Sequence, residues 1–191
     1  MWEKCKGLQE ELVSMRRELH QIPETGGDLP KTKAYIMGKL KELGIPFVEN
    51  ATDSGLVATI EGGKPGKTLA LRADMDALPI TEENDVPYRS KHEGKMHACG
   101  HDTHVTMLLG AAKVLNENKE NIHGNVKLLF QTDEEGSRGA ERLCAEGHLN
   151  GVDAIFGTHI GTIISKDIPA GTVISTPGCC MASFDKFVIK V

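Results

Sequence analysis

The stretch NVKLLFQTDEE, residues 125–135, is a run of apolar side chains that ends in three adjacent carboxylates. The apolar run predicts a buried β-strand. We interpret TLALRADMDALP (68–79) as another strand and VDAIFGTHIG (152–161) as another buried one. Reactive side chains follow each predicted strand, namely Asp74 and Asp76, Glu134 and Glu135, and His159. Because ligands in open α/β sheets bind beyond the carboxyl ends of the strands, we expect these side chains to converge on one site.

Helical patterns alternate with these strands. Apolar residues recur at helical spacing at 8–19, 31–43 and 102–115, and a short helix is predicted at 139–145. Asp102 is in a plausible N-cap position for the third of these helices. A further strand, LVATIEG (56–62), precedes a predicted turn, KPGK (64–67). The alternation predicts an α/β fold with a largely parallel, mixed sheet flanked by helices on both faces.

Length and composition exclude several classes of protein. The chain has 191 residues, 39% apolar and 26% charged, which suffices for one ordinary core, so we expect one substantial globular unit. The net charge of -5, with both signs interleaved, argues against a nucleic-acid partner. The first residues contain no uninterrupted apolar stretch, which predicts no membrane partner and a cytoplasmic location. Five irregularly spaced cysteines predict free thiols rather than a disulfide framework.

The nine residues MHACGHDTH (96–104) concentrate side chains that bind metals or move protons. Cys99 and His101 stand two apart, just before a predicted helix, where both can point to one side. Thiolate and imidazole suit zinc, and carboxylates broaden the choice toward manganese or cobalt. The alternative is a buried cysteine beside solvent-facing histidines. His104 is a further ligand, a donor that supports a ligand, or an ordinary helix histidine, and the last two interpretations are favoured.

The carboxylates at the strand ends allow a metal site or ordinary turns. Glu134 and Glu135 would repel each other in a dry site unless a cation neutralised them. One could then bind metal while the other takes a proton from water. The alternative is a solvated acidic turn. Either Asp74 or Asp76 could orient a metal-bound histidine, the alternative being turn chemistry before Pro79.

A structural zinc site is disfavoured. Such a site usually closes its shell with four cysteines or histidines, and no second CxxC or HxxxH pair follows Cys99. The glutamates and His159 suit an open catalytic site better. The remaining candidates carry weak signals and are interpreted as ordinary residues: His20, His92, His123, His148, and the adjacent Cys179 and Cys180.

Six motifs occur in a characteristic order: RRELHQIPE, RADMDALPI, GKMHACGHDTH, LLGAAKVL, LLFQTDEEG and GVDAIFGTHI. From about residue 12 onward the chain resembles the amidohydrolase branch of the M20 metallopeptidase family, which includes aminoacylase-like, hippurate and auxin-conjugate hydrolases. The resemblance implies a zinc-dependent exopeptidase-like catalytic domain. It also implies two divalent metal ions (zinc, manganese, cobalt or nickel), with the ligands Cys99, His101, Glu135 and His159. Glu134 would be the general base and acid, and Asp76 the supporting aspartate.

The implied reaction is hydrolysis of the amide bond of an N-acyl amino acid, a small-molecule substrate, by metal-activated water. The chain departs from the usual pattern at Thr132 and Asp133, where this branch has proline and alanine. By the resemblance, residues 1–180 are the first part of the catalytic domain and 181–191 begin a lid or dimerisation domain. The rest of both, with another histidine ligand, would lie beyond Val191. The alternatives are therefore an incomplete metal-binding domain, one part of a split enzyme, or assembly as a homo-oligomer.

Overall fold

The computed structural model describes residues 5–136, 138–161, 167–175 and 177–178. The chain divides into two compact units, Met1–Gly161 and Thr162–Val191. All helices and strands given below belong to the first unit, and the described residues of the second form turns, bends and unpaired backbone. The predicted lid strand at 181–191 lies outside the described residues, so the predicted domain boundary stays a prediction.

The first unit alternates helices and strands. Its helices are α1 (Gln9–His20), α2 (Pro30–Glu42), α3 (His101–Glu117), a 3-10 turn (Lys119–Asn121) and α4 (Gly139–Ala145). Its strands are β1 (Phe47–Glu49), β2 (Leu56–Glu61), β3 (Lys64–Asp74), β4 (His123–Gln131) and β5 (Ala154–Gly157). Each predicted helix is present, with ends within two residues of the prediction. None of the described helices combines the length and apolar character needed to cross a bilayer.

The strands form one mixed sheet in the order β1-β2-β4-β3-β5. β1 and β2 pair antiparallel, as do β2 and β4, while β3 pairs parallel with both β4 and β5. The predicted α/β fold is confirmed, with the parallel pairing confined to β4, β3 and β5. These three strands end at the same edge of the sheet, where the reactive side chains follow.

Side chains of the central strands alternate between two cores. On one face, Leu56, Leu128 and Phe130 pack against the helices α1, α2 and α3 in the larger cluster. On the other face, Leu129 packs with Leu143 of α4 in the smaller one. Burying a leucine or phenylalanine contributes about 1.5–3 kcal/mol, so this two-sided burial fixes the register of β4 and with it the position of the carboxylates that follow.

The predicted turn at residues 64–67 was wrong, because β3 begins at Lys64. Lys64 pairs with His123, and the register shifts before Thr68. Glycines permit this irregularity, since a Cβ at Gly66 would lie 2.6 Å from the backbone nitrogen of Gly124. The strand also ends at Asp74 rather than at residue 79.

Two further local predictions were wrong. Asp102 is not the N-cap of α3: that position is Gly100, in the left-handed conformation at φ 91°. Asp102 lies inside the first turn, and its side chain contacts other segments instead. β5 was expected to be buried, yet Ile155 and Phe156 are 51% and 58% exposed. β5 lies at one end of the described sheet, where it pairs with β3.

Candidate metal centre

His101, at the start of α3, is a buried imidazole without a hydrogen-bond partner. Its side chain is fully buried, and neither ring nitrogen makes a hydrogen bond within the described structure. Nδ1 lies 3.4 Å from Asp76 Oδ1, and Nε2 lies 3.7 Å from Asp74 Oδ2. Buried polar groups normally have a partner. The two unpartnered nitrogens of His101 lie beside carboxylates. One of them is therefore free to bind a cation.

Further metal-ligating side chains surround this ring. Two groups of three bring their ligand atoms within 4.8 Å of one another: Cys99, His101 and His159, and His101, Glu134 and Glu135. Cys99 Sγ lies 3.4 Å from His159 Nε2. His101 Nε2 lies 4.0 Å from Glu134 Oε2 and 3.9 Å from Glu135 Oε1. Donors that share one cation at about 2.0–2.3 Å lie at most about 4.6 Å apart, so these distances fit metal ligation.

Asp76 connects the histidine to the glutamates. Its Oδ1 accepts a hydrogen bond from the backbone N–H of Glu134 and its Oδ2 one from that of Glu135, each at 3.1 Å. The same carboxylate faces His101 Nδ1. Asp76 is 1% exposed, so water does not compete for these contacts. One buried carboxylate thus fixes the backbone of both glutamates relative to the imidazole.

The sheet explains why these segments meet. Asp74, at the end of β3, is in register with Gln131, at the end of β4, and the Met75 N–H continues the pairing by donating to the Gln131 carbonyl. β5 ends at Gly157, two residues before His159. The predicted convergence beyond the carboxyl ends of the strands is what the structure shows, and α3 adds His101 from its first turn.

A family model described as peptidase family M20/M25/M40 matches residues 70–178, which is more than half of the chain and includes every residue of both groups. The chain belongs to peptidase family M20/M25/M40. The family resemblance read from the sequence motifs is therefore confirmed.

Similar proteins of known name or structure support this membership. The N-acetyl-L-cysteine deacetylase of Bacillus subtilis is 45% identical over 184 residues, which are 96% of this chain and 43% of that relative. Thermostable carboxypeptidase 2 of Saccharolobus solfataricus is 44% identical over 189 residues, 97% of this chain and 47% of that protein. The crystal structure of the Bacillus subtilis YXEP protein, a dinuclear metal binding peptidase from the M20 family, matches with a TM-score of 0.78 and 41% identity. That match covers 81% of this chain and 44% of the other. The chain thus spans less than half the length of these relatives.

In this M20 chain, hydrogen bonds and ion pairs to other segments hold the turn that carries Glu134 and Glu135. Asp133 adopts a positive φ of 50°, and its backbone N–H donates to the Gly26 carbonyl. Thr132 Oγ1 donates to Asp53 Oδ2 at 2.5 Å. Arg142 of α4 bridges Asp53 at 3.3 Å and Asp133 at 3.2 Å. Thr132 and Asp133 are the two departures from the usual family motif, and both take part in this cross-link.

Negative charge crowds the M20 site. Burial raises the pKa of the Cys99 thiol to about 12, and the neighbouring Glu135 and Glu134 carboxylates add to the effect. Burial also raises the pKa of Glu134, as do the charges of Asp74 and Glu135. Burial alone would raise the pKa of Asp74 too, but the hydrogen bond from His104 and the charge of His101 bring it below its usual range. A bound cation would relieve this repulsion and favour the thiolate.

The sequence interpretation missed His20. This buried side chain places Nδ1 2.6 Å from Asp102 Oδ2 and Nε2 3.1 Å from Glu82 Oε1. Arg16 adds a 3.0 Å contact to Asp102. The place of His20 in the RRELHQIPE motif was the one sequence signal that set it apart. His97 was also missed: it is 4% exposed with both ring nitrogens unpartnered, and burial lowers its pKa to about 4.

The structure brings together all six residues predicted for the site, although their individual roles stay predictions: Asp76, Cys99, His101, Glu134, Glu135 and His159. His92, His123 and His148 belong to none of the metal-ligating groups found among the described residues. The cysteine pair at 179–180 lies outside those residues.

Proposed function

We propose that this chain carries most of the metal centre of an amidohydrolase that cleaves the amide bond of N-acyl amino acids. The supporting observation is the buried, unpartnered His101 among four other side chains that bind metals. The proposed ligands of two divalent ions are Cys99, His101, Glu135 and His159. One thiolate, two imidazoles and a carboxylate suit zinc, cobalt or nickel, and the carboxylates also admit manganese.

The substrate class is supported by the relatives. The Bacillus subtilis relative is named a deacetylase of an N-acetylated amino acid, and the Saccharolobus solfataricus relative is named a carboxypeptidase. Both names denote cleavage of an amide bond next to an amino acid. We therefore propose a small N-acyl amino acid as the substrate.

Glu134 is the proposed general base and acid. The two glutamates lie about equally far from His101, so their order in the motif, rather than distance, assigns Glu135 to the metal and Glu134 to the proton. The side chain of Glu134 is 39% exposed, which leaves it accessible to water and substrate. The backbone N–H of Glu134 donates to Asp76, and this hydrogen bond fixes the backbone from which the Glu134 carboxylate extends.

The proposed reaction follows from these positions. Divalent ions bound here would polarise the scissile carbonyl and lower the pKa of water. Glu134 accepts a proton from the attacking water while the new C–O bond forms. It then donates that proton to the amide nitrogen while the C–N bond breaks. The products are a carboxylic acid and a free amino acid, and Glu134 is again ionised. Asp76 keeps His101 and the glutamates aligned throughout.

The test is to measure metal content and hydrolysis on the same sample of this chain. A panel of N-acetyl and N-benzoyl amino acids is expected to be hydrolysed. Glu134→Gln should reduce turnover by about 10²–10⁴-fold while the metal content is retained. A chain that binds no divalent metal would contradict the proposal. Metal bound without turnover would support the alternative, a metal-binding part that needs a further segment or chain.

We also propose that the chain assembles as a homo-oligomer and is located in the cytoplasm. Light scattering on the purified chain at several concentrations checks the oligomer. A monomer at every concentration, with full turnover, would contradict a site that is assembled between copies.

A further inference from the structure

His104 uses both of its ring nitrogens within the protein. It is 2% exposed, on the first turns of α3. Nδ1 lies 2.5 Å from Asp74 Oδ1, and Nε2 accepts a hydrogen bond from the backbone N–H of Ile160 at 2.9 Å. A backbone N–H can only donate, so Nε2 must carry the lone pair and Nδ1 the proton. This neutral tautomer satisfies both partners.

The occupied nitrogens separate His104 from the ligands. Asp74, His101 and His104 lie close enough together to resemble a third metal-ligating group. A metal on His104 would have to displace Asp74 or Ile160, whereas His101 has both nitrogens unpartnered. The proximity of His104 to the centre therefore needs another explanation.

Buried charges fix the tautomer of His104. Asp74 is fully buried, and its Oδ2 accepts a 2.6 Å hydrogen bond from Arg72 Nη1. Arg72 Nε in turn donates to Gln131 at 2.8 Å. The carboxylate is thus oriented from the sheet, with Oδ1 left to accept the Nδ1–H of His104. Because the Asp74 carboxylate accepts the proton on Nδ1, the lone pair of the ring is on Nε2, the nitrogen that faces Ile160.

The Nε2 lone pair of His104 holds Ile160, the residue that follows the proposed ligand His159. The pairing of β5 ends at Gly157, so the sheet does not itself position His159. The Ile160 N–H, one residue further on, is bonded to His104. The rings of His104 and His159 also pack edge to face, with centroids 4.6 Å apart. Through these two contacts, α3 determines where the His159 ring lies relative to Cys99 and His101.

We propose that His104 is a positioning residue that holds His159 at the metal centre through the Ile160 amide, with Asp74 and Arg72 fixing its tautomer. This inference rests on the proposed role of His159 as a ligand. His104 itself does not bind metal.

The test measures Co²⁺ affinity by titration, following the absorption of the cobalt–thiolate bond to Cys99. His104→Leu removes both hydrogen bonds and should weaken Co²⁺ binding by about 10–100-fold, the range for residues that support a ligand. His104→Gln can still donate to Asp74 and accept from Ile160, so it should retain most of the affinity. The double variant His104→Leu/His159→Ala should bind no more weakly than His159→Ala alone, because His104 acts through His159.

Two results would overturn the inference. One is a folded His104→Leu variant with the affinity of the unsubstituted chain, and the other is a double variant whose losses add. If His104→Leu does not fold, ¹⁵N NMR of the unsubstituted chain decides: a proton on Nδ1 of His104 supports the inference, and a proton on Nε2 overturns it. An unsubstituted chain that binds no Co²⁺ contradicts the proposed function instead, which separates the two failures.

Discussion

His20 Nδ1 lies 2.6 Å from Asp102 Oδ2, and this buried contact joins the last residue of α1 to the first turn of α3. Asp102 is adjacent in sequence to His101. The contact therefore connects the amino-terminal helix to the segment that carries the proposed ligand. Glu82, on the other side of the His20 ring, makes a second buried contact.

The His20 contact should make stability depend on pH. The hydrogen bond to Asp102 raises the pKa of His20 although burial opposes it. A raised folded pKa stabilises the protein fully below about pH 6.5, the unfolded value, and this contribution is lost as the pH rises through the folded pKa. His20→Gln should thus cost about 1–3 kcal/mol of unfolding free energy at about pH 5.5, and less at about pH 9. Urea denaturation at both pH values checks this, with the exposed His123→Gln as control. Equal losses at the two pH values would contradict it.

Cys99→Ser should change the metal preference of the chain. A thiolate is a soft ligand that favours zinc over manganese, and a serine oxygen removes that preference. Zinc affinity should fall by at least about 10-fold, and manganese affinity should change less. Competition titrations with a chelator measure both affinities. Cys144→Ser, at an exposed thiol of α4, is the matched control. An equal loss for both metals would mean that Cys99 is not a direct ligand.

Asp76→Ala should loosen the glutamates and the imidazole together. The variant leaves the N–H groups of Glu134 and Glu135 without their carboxylate acceptor, so metal affinity should fall about 10–100-fold. Asp76→Asn should lose less metal affinity than Asp76→Ala, because its side-chain amide keeps one oxygen that accepts a hydrogen bond. Calorimetric titration with zinc gives the affinities, and Asp85→Ala, at an exposed aspartate, is the control. Full affinity in the alanine variant would refute the positioning role of Asp76.

Arg142→Met should destabilise the turn that carries the glutamates. The methionine keeps the apolar stem but removes the contacts to Asp53 and Asp133. Because Arg142 is partly exposed, at 29%, we expect a loss of about 1–2 kcal/mol of unfolding free energy, less than for a fully buried pair. Hydrogen exchange at residues 133–139 should also become faster. Arg138→Met, at an exposed arginine of the same segment, should have neither effect. Matching results for the two arginines would show that the cross-link does not hold the turn.

Local sequence patterns predicted the helices, most of the strands and the chemical character of the site. Helical and strand periodicities are local, so α1, α2 and α4 lie close to where they were predicted. The ligand types in MHACGHDTH and the glutamate pair are equally local. The pattern misjudged β5, because its apolar residues signal burial whereas burial depends on what lies across the sheet.

The pairing of each carboxylate with a particular histidine, in contrast, depends on how the chain folds. Asp74 and Asp76 alternate along one segment, and only the family resemblance distinguished them in the sequence. In the structure Asp74 pairs with His104, while Asp76 accepts hydrogen bonds from the backbone of Glu134 and Glu135. The His20–Asp102 contact spans 82 positions and the bond from Ile160 to His104 spans 56. Contacts at such separations leave no periodic trace, because they form only where the folded chain packs its helices together and brings the ends of its parallel strands to one edge.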